Sequence, residues 1–381
     1  MPSSHRTALA RLRSCGTEEA GRVFYQCPQC EDWLMAPASC GHRACNACGH
    51  HKAVAWQAQQ QERLLPVNYV LVTFTVPAQF RDVFRAKPQL CYDLLFKQSA
   101  ATLQEIAADP KHLGGAIGMT GVLHTWTRDL NYHPHIHFIV PAGALRDGRW
   151  IDAKGTTEGK DYFLNVHVLA TRMRNRMLKA MRAQLPAAAR HRLPTDAWRQ
   201  RWNVQIQHVG TGETALGYLA RYVQKTAVSK STITACDSQH VTISYLHRES
   251  GQRRTARLTG HEFIRRFLQH VLPRGFSRVR HFGFLSYAAK RAYASVQAAL
   301  AGRKPALSAP APPPSPSDTD PNLTPEPRPA EPHQHCCPRC QVVMKFAEFW
   351  HANRRGRGPP GYAPKPGEAV QRQLGLKFSA P

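Results

Sequence analysis

Three stretches of the chain carry apolar side chains in an order that fixes their local structure. Val67 to Val76 is almost continuously β-branched or aromatic and stops at Pro77, which reads as a buried strand. Ile117 to Trp126 reads as a second strand. After a turn through Asn131, the segment Asn131-Tyr-His-Pro-His-Ile-His-Phe-Ile-Val140 reads as a third. Strand side chains alternate, so His135 and His137 share one face while Ile136, Phe138 and Val140 point into a core on the other. Between and after these lie helical segments. Residues 53–65 and Pro88 to Ala108 are rich in helix formers. Val168 to Leu185 carries an apolar stripe at Leu169, Met173, Met177, Met181 and Leu185, one residue in four, with arginines on the other faces. Glu213 to Lys225 reads as a further helix, and His240 to Leu246 as a strand by alternation. Thr259-Gly-His-Glu262 has the form of a capping box, opening a helix over Glu262 to Leu272 that ends at Pro273. A last helix is expected over Ser286 to Leu300.

The charge balance narrows the class of partner. The chain has 381 residues, room for two or three domains, and 51 Lys plus Arg against 25 Asp plus Glu give a formal net charge of +26. The excess is spread along the chain and predicts attraction to a polyanion, most simply nucleic acid. No apolar run reaches the length of a membrane span and the first residues lack a signal-peptide core, so the chain reads as a cytoplasmic protein with no membrane partner. In a reducing compartment its 11 cysteines call for a role other than disulfides.

Their spacing supplies one. Cys27-Pro-Gln-Cys30 and Cys45-Asn-Ala-Cys48 are two C-x-x-C knuckles fourteen residues apart. Four thiolates around zinc can hold together a segment too small to fold by hydrophobic burial, and these four are the expected structural zinc ligands. Cys40 is the main rival, with Cys15, His42, His50 and His51 as extra candidates. A second group, His335-Cys-Cys-Pro-Arg-Cys340, is half a zinc site that needs further ligands, from His333 and His335, or else a set of free cysteines. It follows a segment, Pro305 to Pro332, that holds eleven of the 29 prolines and reads as a semi-rigid or disordered linker.

Two adjacent imidazoles on a rigid strand make a chelate for a divalent cation. His124, on the preceding strand, is the expected third ligand, because a short connection favours antiparallel pairing of the two strands; His133 is the runner-up. Hard cations prefer oxygen, so an imidazole site points to manganese, or to magnesium held moderately. Some 80 residues on, Gly217-Tyr-Leu-Ala-Arg-Tyr-Val-Gln-Lys225 sets Tyr218 and Tyr222 one helical turn apart, with Lys225 three residues after Tyr222. A tyrosine that attacks a phosphodiester needs the phosphate charge offset and its phenol activated, which a metal and Lys225 would supply. Tyr222 is the expected main nucleophile, with Tyr218 available for a second strand.

These motifs resemble the HUH-type, two-tyrosine rolling-circle transposases of bacterial insertion sequences, the IS91-like group. The resemblance spans residues 23–300: the cysteine module, the block from His124-Thr-Trp126 to His137, Tyr218-Leu-Ala-Arg-Tyr222, Phe263 to Phe276, and Val279-Arg-His-Phe-Gly283. It implies an α+β fold, an HUH-type antiparallel sheet with packed helices, after an N-terminal zinc-binding module and before a disordered proline-rich tail. It also implies nicking and rejoining of single-stranded DNA at element ends through 5′-phosphotyrosine intermediates. The expected domains are a zinc module with its connecting helix at 1–65, the nuclease at 66–302, a proline-rich linker at 303–335 and a basic tail with a partial zinc site at 336–381. Residue chemistry alone leaves two other readings open: a metal-dependent phosphohydrolase with water as nucleophile, and a non-catalytic zinc-module DNA-binding protein.

Overall fold

The computed structural model describes residues 1–45, 48, 56, 58–153, 163–194, 196, 199, 202–214, 216, 227–228, 232–247, 250–303, 335–351, 359–360 and 362. The chain forms two compact units, one of Ala55–Leu323 and one that joins Met1–Val54 to Thr324–Pro381. It is a mixed α+β protein with antiparallel sheets.

The smaller unit holds helix α1 (Ser3–Ser14) and a three-stranded antiparallel sheet in which β1 (Arg22–Gln26) lies between β2 (Trp33–Pro37) and β13 (Lys345–Trp350). The described residues 335–351 are therefore not part of a separate tail. They supply an edge strand to the N-terminal module, with Arg22 opposite Trp350 and Gln26 opposite Lys345. Phe24, fully buried, packs edge-on against Trp350 and Tyr362. The larger unit begins at Ala55, within the segment 53–65 that is expected to connect the two.

The larger unit is built on a five-stranded antiparallel sheet in the order β12-β4-β5-β3-β8, from β3 (Asn68–Thr75), β4 (Gly118–Trp126), β5 (Tyr132–Pro141), β8 (Asn203–Thr211) and β12 (Val279–Gly283). Strands β6 (Gly143–Arg146) and β7 (Arg149–Asp152) form a separate hairpin directly after β5. Alternation gives the five-stranded sheet two unlike faces. On one, Val70, Val72, Phe74, Met119, Leu123, Ile136, Phe138 and Val140 join the main core. The short helices α2 (Arg81–Ala86) and α5 (Ala187–Arg190) add Val83, Phe84 and Ala189 to that core. Helices α3 (Pro88–Ala108) and α4 (Val166–Gln184) cover the face with Leu94, Leu95, Leu103, Leu169, Met173 and Met177. Proline at the first position of α3 costs nothing, since that amide has no helical partner. Helix α4 starts one turn before the apolar stripe because the Asn165 side chain accepts from the amides of His167 and Val168. On the opposite face, Tyr69, Leu71, Val122 and Ile139 pack with Val296 and Leu300, at and just beyond α7 (Lys290–Ala299), a smaller apolar cluster that occupies only part of the sheet. The rest of that face carries the histidines.

A second antiparallel sheet consists of β9 (Ile233–Cys236), β10 (His240–Leu246) and β11 (Arg253–Thr259), with β10 in the middle, and is followed directly by α6 (Gly260–Leu268). Half of the expected capping box forms. Thr259 accepts from the Glu262 amide, but the Glu262 carboxylate turns to Arg265 and Arg266 rather than back to the cap. Among the described residues no helix is long and apolar enough to cross a membrane.

Candidate metal centre

Register assembles the histidines. Strands β4 and β5 pair antiparallel with His124 opposite His135 and Val122 opposite His137, and β3 sets Thr73 opposite His137. Direct opposition puts side chains of neighbouring strands about 5 Å apart. The ring centroids of His135 and His137 lie 4.8 Å apart, His124 to His137 5.0 Å, and His124 to His135 5.3 Å. One ring nitrogen from each of the three lies within 4.8 Å of the others, close enough to bind one ion.

The surrounding groups set which nitrogens are available. His135 Nδ1 lies 2.7 Å from the His133 carbonyl oxygen, which only accepts, so Nδ1 carries the proton and Nε2 keeps its lone pair. His137 Nδ1 lies 2.9 Å from Thr73 Oγ1, a partner that can accept in the same way. The His124 ring stacks on Trp126, 5.0 Å between centroids and 16° from parallel, just beyond a register shift between His124 and Trp126. Bulges of this kind re-aim a strand residue beside a site. Burial holds the His135 imidazole at about 4, and holds His137 well below the ordinary imidazole value with help from the neighbouring His135 and His133. Both are therefore neutral at physiological pH, the form in which imidazole binds a metal. The group contains no carboxylate, and three nitrogen donors suit manganese or a later divalent ion better than magnesium.

His133 does not join them. The strand runs straight through Pro134, whose carbonyl accepts from the Val76 amide, and His133 Nδ1 pairs with Arg81 at 2.8 Å. Its carbonyl orients His135 instead. Tyr218, Tyr222 and Lys225 lie outside the described residues. Thr73 is the member that sequence reading passed over. Its signal was a hydroxyl inside an otherwise apolar strand, which becomes meaningful only once β3 is set beside β5.

The same sheet face continues into a cleft. Thr120 pairs with Ile139 on one side and with His281 on the other, two residues along the strands from the histidines. Two residues of strand are about 7 Å. There, Trp56, Ser277, Arg280, His281 and Tyr287 line a cavity of about 440 Å³. The Arg63 guanidinium sits over the Tyr287 ring at 4.4 Å, and Gln60 donates to its hydroxyl. The Tyr287 side chain is half exposed all the same.

The cysteines divide differently from the expected quartet. Cys45 and Cys48 lie with Cys15 and Cys40, while Cys27 and Cys30 lie elsewhere in the unit, with Cys337 and Cys340. In the first group the Sγ–Sγ distances are 3.5 Å from Cys15 to Cys48, 3.5 Å from Cys45 to Cys15 and 3.6 Å from Cys40 to Cys48. Four sulfurs at about 2.3 Å from a tetrahedral zinc would stand about 3.8 Å apart. The physical reason for the regrouping is the β1–β2 hairpin. It carries the first knuckle at its tip, while the ends of the hairpin bring Cys15 to Cys40, whose amide donates to Cys15 Sγ. His50 and His51 lie outside the described residues, and the His42 Nδ1 accepts from the Ala44 amide.

Two family models match this chain. One described as "Transposase zinc-binding domain" covers residues 1–76, and one described as "Putative transposase" covers residues 118–292. The chain is 32% identical over 304 residues to the protein named "Putative transposase y4qJ" of Sinorhizobium fredii, covering 75% of each chain. It is 28% identical over 298 residues to the transposase for insertion sequence element IS801 of Pseudomonas savastanoi pv. phaseolicola, covering 73% of this chain and 69% of that one. No solved structure matches.

Proposed function

The chain belongs to the IS91 family of transposases, enzymes that act on DNA, and from that premise we propose that it is an HUH-type nuclease that cuts and rejoins single-stranded DNA by tyrosine attack. It would do so in the bacterial cytoplasm, moving its element by rolling-circle transposition. The single observation that carries this reading is the trio His124, His135 and His137, the first and last buried and His135 partly exposed, with a ring nitrogen of each within 4.8 Å of the others. Its imidazoles, two of them neutral and oriented through Nδ1, fit a divalent cation such as manganese or magnesium. When bound, that cation would offset charge on the scissile phosphate and polarise phosphorus.

The chain's own residues would do the rest. The phenolic oxygen of Tyr222 forms a bond to phosphorus, the bond from phosphorus to the 3′-oxygen breaks, and the leaving oxygen takes up a proton as a 3′-hydroxyl. The 5′-phosphate stays on tyrosine as an ester, so rejoining needs no further energy source. Tyr218 would serve a second strand, and Lys225 would stabilise charge at the phenol or phosphate. The proposed zinc ligands of the N-terminal zinc-binding domain are Cys15, Cys40, Cys45 and Cys48.

The test is direct. Single-stranded DNA labelled on the 3′ side of the nick, incubated with the protein and manganese and then denatured, is expected to leave label on the protein. Tyr222→Phe should remove most of that adduct and the Tyr218→Phe/Tyr222→Phe pair all of it. Cleavage that leaves no labelled protein would instead mean attack by water.

Single-stranded DNA is favoured over duplex by the cleft beside the histidines. An aromatic face with arginines nearby is how unpaired bases are held, each stack contributing about 1–3 kcal/mol. Tyr287→Ala is expected to weaken single-stranded DNA binding about tenfold, read by fluorescence anisotropy at fixed salt, with duplex binding little changed. Thr73→Val keeps the side-chain shape but removes the acceptor for His137. Outer partners of metal-bound histidines contribute about 10–100-fold in affinity, so a manganese titration should show a loss in that range. An unaltered affinity would remove Thr73 from the site.

A further inference from the structure

Cys27-Pro28-Gln29-Cys30 and Cys337-Pro338-Arg339-Cys340 stand about three hundred residues apart in sequence and are built alike. In the first, the Cys27 amide donates to the Asp32 carbonyl and the Glu31 amide to the Cys27 carbonyl. In the second, the Cys337 amide donates to the Val342 carbonyl and the Gln341 amide to the Cys337 carbonyl. Each knuckle ends on a residue with a left-handed backbone, Glu31 at φ 58° and Gln341 at φ 56°, conformations that side chains other than glycine seldom adopt. The amides of Gln29 and Cys30 point at Cys27 Sγ, at 3.4 and 3.5 Å, the arrangement that stabilises a thiolate.

The two knuckles face each other. Cys30 Sγ lies 3.5 Å from Cys337 Sγ, and all four sulfurs lie within 4.8 Å of one another. Cys27 and Cys337 are buried against Met344, while Arg339 reaches Asp32 across the pair at 3.8 Å. Neither a disulfide nor hydrophobic burial accounts for four reduced sulfurs converging at the tip of two small hairpins. Cys336, next in sequence, is exposed and takes no part in the group.

We propose that Cys27, Cys30, Cys337 and Cys340 bind a second structural zinc, which clasps the two ends of the chain into one module and makes residues 55–323 an insertion within it. Binding converts four thiols to thiolates and releases their protons to solvent. The clasp and the β1–β13 pairing then act together, and the N-terminal module is completed only when the chain has been made as far as Trp350. A chain that stops short of Cys337 would lose a zinc as well as an edge strand.

Zinc counted on the full chain, without DNA, tests this independently of the phosphodiester chemistry. Cys27→Ser/Cys30→Ser and Cys337→Ser/Cys340→Ser should each lose one equivalent, and the fourfold variant should also lose only one. Cys336→Ser should lose none. A loss of two equivalents on combining the pairs, or none from the C-terminal pair, overturns the proposal. Cys340→His guards against simple misfolding. It should retain the metal, and in the cobalt-substituted protein one sulfur donor should be replaced by nitrogen, shifting the visible bands to shorter wavelength. An unshifted spectrum at full cobalt occupancy would equally overturn it.

Discussion

His135→Ala is expected to lower the rate of covalent attachment to single-stranded DNA by about 10²–10³-fold at saturating DNA. A cation that offsets phosphate charge contributes several kcal/mol to the transition state, and about 1.4 kcal/mol is a factor of ten. On the proposed reading, alanine removes one of three ligands and leaves the other two imidazoles too few to hold the ion in place. The loss should be partly recovered at high manganese, because weaker affinity is part of the defect. His133→Ala supplies the contrast. Its ring pairs with Arg81, and the carbonyl that orients His135 belongs to the backbone and survives the substitution. It should therefore cost much less. Equal losses in the two variants would mean that the histidine strand matters for DNA contact rather than for a metal. A thermal melt accompanies both, since His135 is neutral and partly exposed, and its removal should not unfold the sheet.

The histidine trio was legible in the sequence because its geometry is local. Alternation puts His135 and His137 on one face, and a connection of a few residues forces β4 back along β5, which brings His124 opposite His135. The grouping of the cysteines was not, although the knuckles are the plainest motifs in the chain. Spacing says how far apart two pairs lie along the backbone, whereas the pairing depends on a hairpin and on a strand contributed from beyond residue 335. The same distinction runs through the fold. Strands β3 and β5, buried and β-branched, announce themselves. Strand β8 at the sheet edge, with its exposed Asn203 and Gln205, and the short β12, with Arg280 and His281, do not, because half of their surface faces away from the core. Helix α6 stops at Leu268, short of Pro273, since the turn after it is held by His270, whose Nε2 reaches the Leu130 carbonyl while Thr125 meets its Nδ1. Such long-range contacts leave no mark on local periodicity.

Phe138→Ala is expected to destabilise the larger unit by about 3–5 kcal/mol, a large share of the roughly 5–15 kcal/mol that holds a typical domain folded. Phe138 is fully buried directly behind the histidine face, next in sequence to His137. Its ring meets Phe74 and Phe96 edge-on, at 6.1 and 6.4 Å between centroids, and Phe282 at 6.0 Å. The ring has room only because its neighbour on β4 is glycine. A Cβ at Gly121 would stand 2.6 Å from it. With no side chain at Gly121 to fall into the space, and with three strands and α3 fixing its walls, the cavity left by alanine cannot collapse, so the cost should sit toward the upper end of that range. The measurement is chemical denaturation followed by a probe in the larger unit. The zinc content should be unchanged, because every cysteine of both clusters lies in the other unit. A melt shifted by less than the equivalent of about 1 kcal/mol, the scale of a conservative core swap, would mean that the sheet is not packed around Phe138, and would remove the rigid backing that the histidine register requires.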